Sequence, residues 1–307
     1  MHKTESREAH TKKVGMVISQ ILGGLGNQMF QYAAGRALSL AAGHRFLLNL
    51  HGFESYALHQ GFEVERVFVA PVQAATAADV REVLGWRSGD LTRKLLKRVQ
   101  SPLLHGPHLA IEPHFNYWPG LREGAGPRYL MGYWQSERYF KDCEAVLRAD
   151  FSFKTPLNGA NLEISARMRD CQSVSLHVRR GDYVTHAKTA KILNVCSLEY
   201  YRKAIAHIAE RILSPHFFVF SDDPQWVRDN LEISFPADFI DGNRGMQSYI
   251  DMQLMSLCKH QIIANSSFSW WGAWLNTNPD KKVVAPREWF RNGTDDRDLV
   301  PPEWVRL

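Results

Sequence analysis

The sequence lacks the long apolar run that a membrane-spanning helix requires. Its 307 residues are 45% hydrophobic and 22% charged, but no uninterrupted apolar stretch approaches the roughly 20 residues needed to cross a bilayer. The first 15 residues are polar and contain no apolar segment typical of a signal peptide. We therefore expect residues 1–15 to be a disordered tail and the protein to be cytoplasmic.

Cysteine is scarce and scattered. The four cysteines show neither the close pairs of a zinc site nor the density of a disulfide scaffold; they are Cys143, Cys171, Cys196 and Cys258. This pattern favours a reducing compartment.

A block of Lys and Arg that would indicate nucleic-acid binding is also missing. The net charge is only mildly positive, at +5. An excess of this size fits an anionic ligand or the acidic inner face of a membrane. We therefore expect no nucleic-acid partner, and peripheral contact with the inner membrane is allowed.

The first glycine-rich turn lacks the third glycine of a dinucleotide fingerprint. An apolar strand at 16–22 leads through Gly23-Gly-Leu-Gly26 into a helical pattern over 27–42, with Asn27 suited to cap the helix. Met29 stands where the third glycine would be, and Asn49 ends the second strand where an acidic residue would be. This argues against a dehydrogenase. The turn fits a phosphate site or a purely structural turn about equally. The predicted buried face of the helix comprises Met29, Ala33, Ala37 and Leu40.

Alternating strand and helix patterns in the second half predict a parallel sheet. A turn at Pro156-Leu-Asn-Gly159 places a domain boundary near residues 152–160. We therefore expect an N-terminal domain over 16–155 and a C-terminal domain over 156–307. The stretch 101–127 is rich in Pro, Gly, His and aromatic residues without a clear period, and this predicts a long loop.

Several polar side chains follow the predicted strand 173–178. His177, Arg179, Arg180 and Asp182 cluster where that strand ends. Adjacent side chains of an extended chain point to opposite sides, so one arginine is expected to face a cleft while the other anchors locally. A guanidinium offers a planar fork of donors that suits phosphate oxygens. Taken alone, this string also fits a surface ion pair at a strand end.

Two further strands are predicted to end in polar groups. Asp222 and Asp223 follow one, and Asn265 to Ser269 follow the other. Ligands bind at the carboxyl ends of strands in open α/β sheets. Together with the Arg179 fork, the serines would supply donors to phosphate, and an aspartate would accept from the two N–H groups of guanine. These residues predict a nucleotide site, although Asp222-Asp223-Pro224 also fits a helix start. A helix is predicted to start at Trp270, and Trp270 and Trp271 favour core packing.

Five motifs, in order, resemble those of the alpha-1,2-fucosyltransferase family of bacteria and animals. They are residues 23–39, 132–140, 177–183, 220–223 and 265–276. The resemblance implies a GT-B architecture, with two Rossmann-like domains facing a cleft and GDP-fucose held mainly by the C-terminal half. It implies inverting, metal-independent transfer of fucose to the 2-hydroxyl of a galactose-type residue on a glycan, without a cofactor.

The resemblance also implies roles for individual residues. Arg179 would meet the leaving diphosphate, and Asp182 would orient an arginine with little basicity of its own. Donor-binding roles fall on Asn27, Gln28, His177, Arg180, Asp222, Asp223, Asn265, Ser266, Ser267 and Phe268. Acceptor-binding roles fall on Gln135 and Tyr183. No residue is assigned to a metal, and no general base is identified.

Two alternatives stay open. One is a non-catalytic pseudoenzyme that binds a nucleotide sugar, and the intact Arg179 argues against it. The other is an enzyme with the same fold and donor but a different acceptor or linkage. Acceptor choice depends on loops such as 101–127, which follow no general code.

Overall fold

The computed structural model describes residues 14–53, 60–99, 101–124, 126–181 and 195–307 of the chain. These residues form two β-sheets flanked by helices, and neighbouring strands within each sheet run parallel. The prediction of an α/β fold with two parallel sheets is therefore confirmed. The domain boundary near residues 152–160 stays a prediction.

The N-terminal sheet is built from short parallel strands. Its strands are β1 (Met16–Gln20), β2 (Arg45–Asn49), β3 (Leu109–Ile111) and β4 (Arg128–Met131), in the order β2-β1-β4-β3. Helices of this half are α1 (Leu25–Ala42), α2 (Val64–Val67), α3 (Ala77–Leu84), α4 (Asp90–Arg98), α5 (Pro102–His105) and α6 (Glu144–Asp150). Short 3-10 helices lie at His51–Phe53, Gly85–Ser88, Pro119–Arg122, Glu137–Tyr139 and Lys141–Cys143.

The C-terminal sheet contains more strands than the N-terminal sheet. Its strands are β5 (Gln172–Val178), β6 (Pro215–Ser221), β7 (Ala237–Ile240), β8 (His260–Ile262), β9 (Val283–Ala285) and β10 (Val305–Arg306), in the order β10-β9-β8-β5-β6-β7. Helices of this half are α7 (Gly159–Asp170), α8 (Leu198–Ala209), α9 (Pro224–Asn230), α10 (Tyr249–Leu257) and α11 (Ser267–Leu275), with a 3-10 helix at Gly245–Gln247. The strands β8, β5 and β6, whose ends carry the predicted polar groups, are direct neighbours.

Helix α1 begins earlier than predicted. Gly24 is its N-cap, without a side-chain hydrogen bond, and Leu25 is its first residue. The prediction that Asn27 caps this helix is therefore wrong, because Asn27 already lies inside the first turn. Leu40 does not belong to the buried face either: it is 43% exposed, since the last turn of α1 lies at the surface.

The prediction of a long loop over 101–127 is wrong in part. The stretch contains α5, β3 and the 3-10 helix Pro119–Arg122. Strand β3 pairs with β4 through Leu109, Ala110 and Ile111. Three residues are too few to show a hydrophobic period. This strand is therefore specified by its pairing with β4 and not by a local sequence pattern.

One hydrophobic core joins the two halves. The ring of Phe30 in α1 lies 4.5 Å from that of Trp270 and 4.9 Å from that of Trp271 in α11, measured between centroids. Phe140 stacks on Trp271 at 5.5 Å. Both tryptophans are fully buried, so their predicted core role is confirmed. The carboxyl edges of the two sheets are thereby held next to each other.

Candidate functional site

The carboxyl edge of the C-terminal sheet carries two arginine–aspartate pairs. Arg179 lies immediately after β5, and its Nη1 is 3.2 Å from Oδ2 of Asp222, which follows β6. The backbone N–H of Arg180 donates to Oδ1 of Asp222 at 2.9 Å. Because β5 and β6 are neighbours in register, the two motifs meet through one aspartate.

Arg180 is anchored locally, as strand alternation predicts. Its Nε donates to Oδ2 of Asp223 at 3.3 Å, and its guanidinium lies 3.6 Å from the ring centroid of Trp226. Asp223 also caps α9 by accepting from the backbone N–H of Trp226. Asp223 therefore caps the start of a helix, which the Asp222-Asp223-Pro224 string also fitted, and in addition forms an ion pair with Arg180.

Glycine at position 181 leaves room for the carboxylate of Asp222. A Cβ atom there would stand 2.4 Å from Oδ2 of Asp222, closer than side chains approach in proteins. A side chain would therefore displace the carboxylate that holds Arg179. The glycine of the Arg-Arg-Gly string therefore leaves space for Asp222, which follows the neighbouring strand.

His177 is a neutral buried group at the same edge. It is 5% exposed, and burial, reinforced by the charge of Arg179, lowers its pKa to about 3. Its Nδ1 has no hydrogen-bond partner among the described residues. The ring lies 6.0 Å from that of Phe268. The imidazole can therefore donate or accept a hydrogen bond near neutral pH, but it adds no positive charge for a diphosphate.

The end of β8 leads into the N-terminus of α11. The helix starts at Ser267, three residues before its predicted start at Trp270, and Ser266 is its N-cap. The side chain of Asn265 is buried and its Nδ2 donates to the carbonyl of Trp289 at 3.0 Å. Unpaired N–H groups and the helix dipole make such a terminus favourable for an anion.

The N-termini of α1 and α11 abut across the two halves. Nε1 of Trp271 donates to the carbonyl of Gly26 at 3.0 Å. A Cβ atom on Gly26 would stand 2.6 Å from the backbone carbon of Ser267, so only glycine permits this approach. Glycine in the stretch after β1 is therefore needed for packing between the two halves, in addition to its predicted role of letting a ligand approach the backbone.

Asn27 connects three of the sequence motifs. Its Oδ1 accepts from Nε2 of Gln135 at 2.7 Å and from Oγ of Ser267 at 2.9 Å. Gln135 is 7% exposed and follows β4. The structure thus brings together residues that are 108 and 240 positions apart. We call the side chains of Asn27, Gln135 and Ser267 the amide junction.

Gln28 lies beneath the junction and is fully buried. Its Nε2 donates to the carbonyls of Gly23 and Gly61, and its Oε1 accepts from the backbone N–H of Glu63. All of these contacts are to backbone atoms, so Gln28 holds the loop before α2 against the glycine turn. Its predicted contact with the donor stays a prediction.

Glu112 is a residue that the sequence pattern did not single out. It directly follows β3, and its Oε2 and Oε1 accept from the backbone N–H groups of Tyr133 and Trp134 at 2.7 and 2.8 Å. These residues precede Gln135, so the carboxyl lies beside the amide junction. Burial outweighs the two hydrogen bonds and raises its pKa to about 7. A Glu directly after an apolar triplet was the only sequence signal.

Two predicted residues, Asp182 and Tyr183, lie outside the ranges that the structure describes, so their roles stay predictions. Within those ranges, no three His, Cys, Asp or Glu side chains are grouped as metal ligands. No helix in the same ranges is long and apolar enough to cross a membrane. All four cysteines are free thiols.

Comparison with known proteins places the chain in a family. A sequence profile of glycosyl transferase family 11 matches residues 123–307. The chain is 36% identical over 299 residues to an Escherichia coli alpha-1,2-colitosyltransferase, covering 96% of this chain and 99% of that protein. It is 25% identical to the Mus musculus galactoside 2-alpha-L-fucosyltransferase Sec1, covering 97% of this chain and 75% of that protein.

Its fold is similar to solved structures of lower identity. The crystal structure of the Bradyrhizobium NodZ alpha-1,6-fucosyltransferase soaked with GDP-fucose aligns with a TM-score of 0.49 and 16% identity. The alignment covers 86% of this chain and 93% of that one.

Proposed function

Because the chain belongs to glycosyl transferase family 11, we propose that it transfers L-fucose from GDP-fucose to the 2-hydroxyl of a galactose-type residue on a glycan, with inversion. One observation carries the proposal. An arginine fork and a helix N-terminus lie at one sheet edge, and Asn27 links that edge to the segment that holds Glu112, a carboxyl whose pKa lies near neutrality. This arrangement suits a reaction that expels a diphosphate and removes a proton from a hydroxyl.

The diphosphate would lie between Arg179 and the N-terminus of α11. Asp222 holds the guanidinium in place before the donor binds, so little reorganisation is needed when the leaving group gains charge. The N–H groups at the start of α11 add donors on the other side. These groups stabilise the charge that develops on GDP as the bond to the sugar breaks.

We propose Glu112 as the general base. A base must be deprotonated to accept a proton and basic enough to take it, so a pKa near 7 is favourable at neutral pH. The acceptor hydroxyl would give its proton to Glu112 while its oxygen attacks the anomeric carbon from the face opposite GDP. The product is then an inverted glycoside, GDP and a protonated carboxyl, which returns its proton to solvent.

The proposed guanine contact falls on Asp222 or Asp223. Asp222 and Asp223 are both paired with arginines, which use some of their acceptor capacity. The carboxylate of Asp223 is 42% exposed, so part of it can still accept from a base. We retain the proposal that one of the two aspartates reads guanine.

A second donor deserves a test because the Escherichia coli relative is named for colitose. Colitose is fucose without its 3-hydroxyl, so the two donors differ at one polar group. A site that hydrogen-bonds a hydroxyl rejects an analogue without it by about ten-thousandfold, whereas an apolar site discriminates weakly. The ratio of kcat/KM for the two donors therefore reports which sugar the site is built for.

Purified protein should be incubated with GDP-fucose, GDP-colitose, GDP-mannose and UDP-galactose, each with a galactoside acceptor. We expect GDP release that depends on the acceptor, and a product whose NMR spectrum shows an alpha-1,2 linkage. Calorimetry should show tighter binding of GDP than of UDP. Release from no GDP-sugar would refute the function, a different linkage would refute the acceptor position, and equal GDP and UDP affinity would refute guanine recognition.

We also propose that transfer needs no divalent cation, since Arg179 and the α11 N-terminus supply charge where a metal would act. Activity should persist in excess EDTA. Loss of activity with EDTA that magnesium or manganese restores would contradict this proposal.

A further inference from the structure

The outer surface of the N-terminal half carries an apolar patch that no described element covers. The segment 86–104 exposes six large apolar side chains at fractions from 44% to 90%. They are Trp86, Leu91, Leu95, Val99, Leu103 and Leu104, and we call this surface the outer patch. Scattered exposed leucines are ordinary, but a group of six within one short segment is not.

The same segment holds most of the protein's net charge. Residues 86–104 contain five Lys or Arg and one Asp, a net charge of +4 within a chain of +5. The aspartate, Asp90, is paired with the buried Arg93 and with His51. Lys94 and Arg98 are exposed and form no ion pair with a described residue, and Lys97 is exposed as well, although its charge also acts on Glu112. The charge is therefore available to a partner.

Helix α4 divides its residues between the core and this surface. Its inner side buries Leu96 in the core and places the guanidinium of Arg93 5.0 Å from the ring centroid of Tyr129. Residues 91, 94, 95 and 98 follow helical spacing on the opposite side and are exposed. Leucine and cationic side chains thus alternate along one outward stripe.

Polar contacts tie the rest of the patch to this helix. Nε2 of His105 lies 3.0 Å from the carbonyl of Leu96 and 2.8 Å from that of Val99. The Nε of Arg87 donates to the carbonyl of Leu104 at 2.6 Å, and its guanidinium lies 4.6 Å from the Trp86 ring centroid. The exposed leucines of α4 and α5 are therefore held on one ordered surface rather than on independent loops.

We propose that the outer patch binds the surface of a membrane that contains anionic phospholipids. Leucine and tryptophan side chains insert at the level of the lipid headgroups, and surrounding cations attract acidic lipids. A second copy of the chain fits this surface poorly, because it would place one +4 segment against another. Nucleic acid would use the cations but leave the leucines exposed.

The position of the patch gives this attachment a direction. The His51–Asp90 contact, 3.1 Å between Nε2 and Oδ2, holds the start of α4 beside the carboxyl end of β2. That end belongs to the sheet edge on which Glu112 lies. A membrane bound at the outer patch would therefore adjoin the side of the site proposed for the acceptor, while the donor edge stays with the other half.

The full chain should be mixed with vesicles of phosphatidylcholine alone and with vesicles that also contain phosphatidylglycerol, and bound protein measured by flotation. Two variants test the patch: Leu103→Ser, and Lys94→Glu combined with Arg98→Glu. Matched controls are Leu213→Ser, whose leucine is 89% exposed against 90% for Leu103, and Arg169→Glu in the last turn of α7. Because all of these side chains are exposed, folding should be retained, and thermal melts check this.

We expect binding only to the anionic vesicles and weakening with salt. Each cation near an anionic surface contributes roughly fivefold to the partition coefficient, so the double charge reversal should lower it by about 25-fold or more. Leu103→Ser should lower it on the order of tenfold, and both controls should bind like the wild type. GDP release from GDP-fucose during transfer to a soluble acceptor should be unchanged in all variants, which separates this proposal from the proposed function.

Three results would overturn the proposal. The first is the absence of binding to anionic vesicles. The second is an equal loss of vesicle binding in the patch variants and in the controls. The third is a dimer in solution that Leu103→Ser dissociates, since that would identify a second copy as the occupant.

Discussion

The two sheet edges that face each other hold their functional groups in different ways. On the C-terminal edge the groups are charged and paired, Arg179 with Asp222 and Arg180 with Asp223, with partial exposure to solvent. On the N-terminal edge, the amides of Asn27 and Gln135 meet at the amide junction, and the carboxyl of Glu112 accepts from two backbone N–H groups and is attracted more weakly by the charge of Lys97. The C-terminal edge keeps fixed charges, whereas the N-terminal edge keeps a carboxyl, that of Glu112, that titrates.

This difference matches two chemical demands. A departing diphosphate needs positive charge that persists at every working pH, and a guanidinium supplies it. A base needs a charge that changes, and burial that outweighs nearby hydrogen bonds and cations raises a carboxyl pKa toward neutrality. A salt bridge to Glu112 would have lowered its pKa and made it a weaker base. Among the described residues no side chain forms a close ion pair with Glu112, and this difference between the two edges can be tested.

Replacing Glu112 by Gln should have the largest effect. Loss of a general base typically lowers the rate by about a hundredfold to ten-thousandfold. Wild-type kcat should fall as the pH drops below about 7, because Glu112 becomes protonated, and this acid limb should vanish in the variant. His177, with a pKa of about 3, cannot produce that limb. Steady-state kinetics between pH 5 and pH 9 would measure both changes.

The competing explanation is that Glu112 only holds the turn before Gln135. In that case the variant should lose thermal stability and GDP affinity but keep the acid limb on its residual rate. Glu137→Gln is the matched control, since Glu137 is also a buried carboxyl of this half with a raised pKa, but is paired with Lys141. We expect its kcat to stay close to that of the wild type. Formate should partly restore Glu112→Ala if a base is missing.

Arg179→Lys tests the charged edge and should have the second largest effect. Lysine keeps the charge but loses the planar fork, and removal of a preorganised donor typically costs about 3 kcal/mol, or on the order of a hundredfold in kcat. Arg180→Lys should cost less, roughly three- to tenfold, because Arg180 is engaged by Asp223 and the ring of Trp226.

Kinetics beside a thermal melt separate these arginines. The ion-pair interpretation of Arg179 would be supported instead if the lysine variant turned over donor normally and lost only a little stability. Equal losses in the two variants would contradict the division of roles between them. Arg167→Lys is a control at a surface pair with Asp238 and should behave like the wild type.

Asn27→Ala tests the contact between the edges. It removes the acceptor for both Gln135 and Ser267, and a buried donor left unpaired, as Gln135 would be, costs about 1–3 kcal/mol. We expect kcat/KM to fall about tenfold. A double-mutant cycle with Ser267→Ala should show coupling, and strict additivity would mean that the junction has no role. Asn158→Ala is the control, since the Asn158 side chain makes no capping hydrogen bond.

The charged edge was the more predictable of the two from sequence. Alternation identified β5, a continuous apolar run identified the strand before Asp222, and parallel strands place their carboxyl ends together. The partners of Asn27 were not predictable, because Ser267 lies 240 residues away and its helix was expected to start at Trp270. The role of Asn27 depends on packing between the halves, which no local pattern encodes.

Glu112 was missed for a different reason. Its strand β3 has three residues, too few for a period, and its raised pKa arises from burial. Neither quantity is local to the sequence. The tryptophans of α11 show the reverse case, since large aromatic residues pack in cores so regularly that their composition alone was informative.

Asp251→Asn should have the smallest effect and sharpens the comparison most. Burial raises the pKa of Asp251 to about 7, as for Glu112, but this carboxyl accepts from Asn243 beside α7, within the C-terminal half. Its folded pKa lies above its unfolded value of 3.8. The stabilisation from the protonated form is therefore complete below that value and is lost as the pH rises through about 7. The loss between pH 6 and pH 8 is about 1 kcal/mol, or roughly 2 °C in Tm. Melts should show a shallower decline over this range for Asp251→Asn and for Glu112→Gln alike. Only Glu112→Gln should lose the acid limb of kcat. If Asp251→Asn also lost the acid limb of kcat, that limb could not be assigned to Glu112 from its raised pKa and its place at the sheet edge.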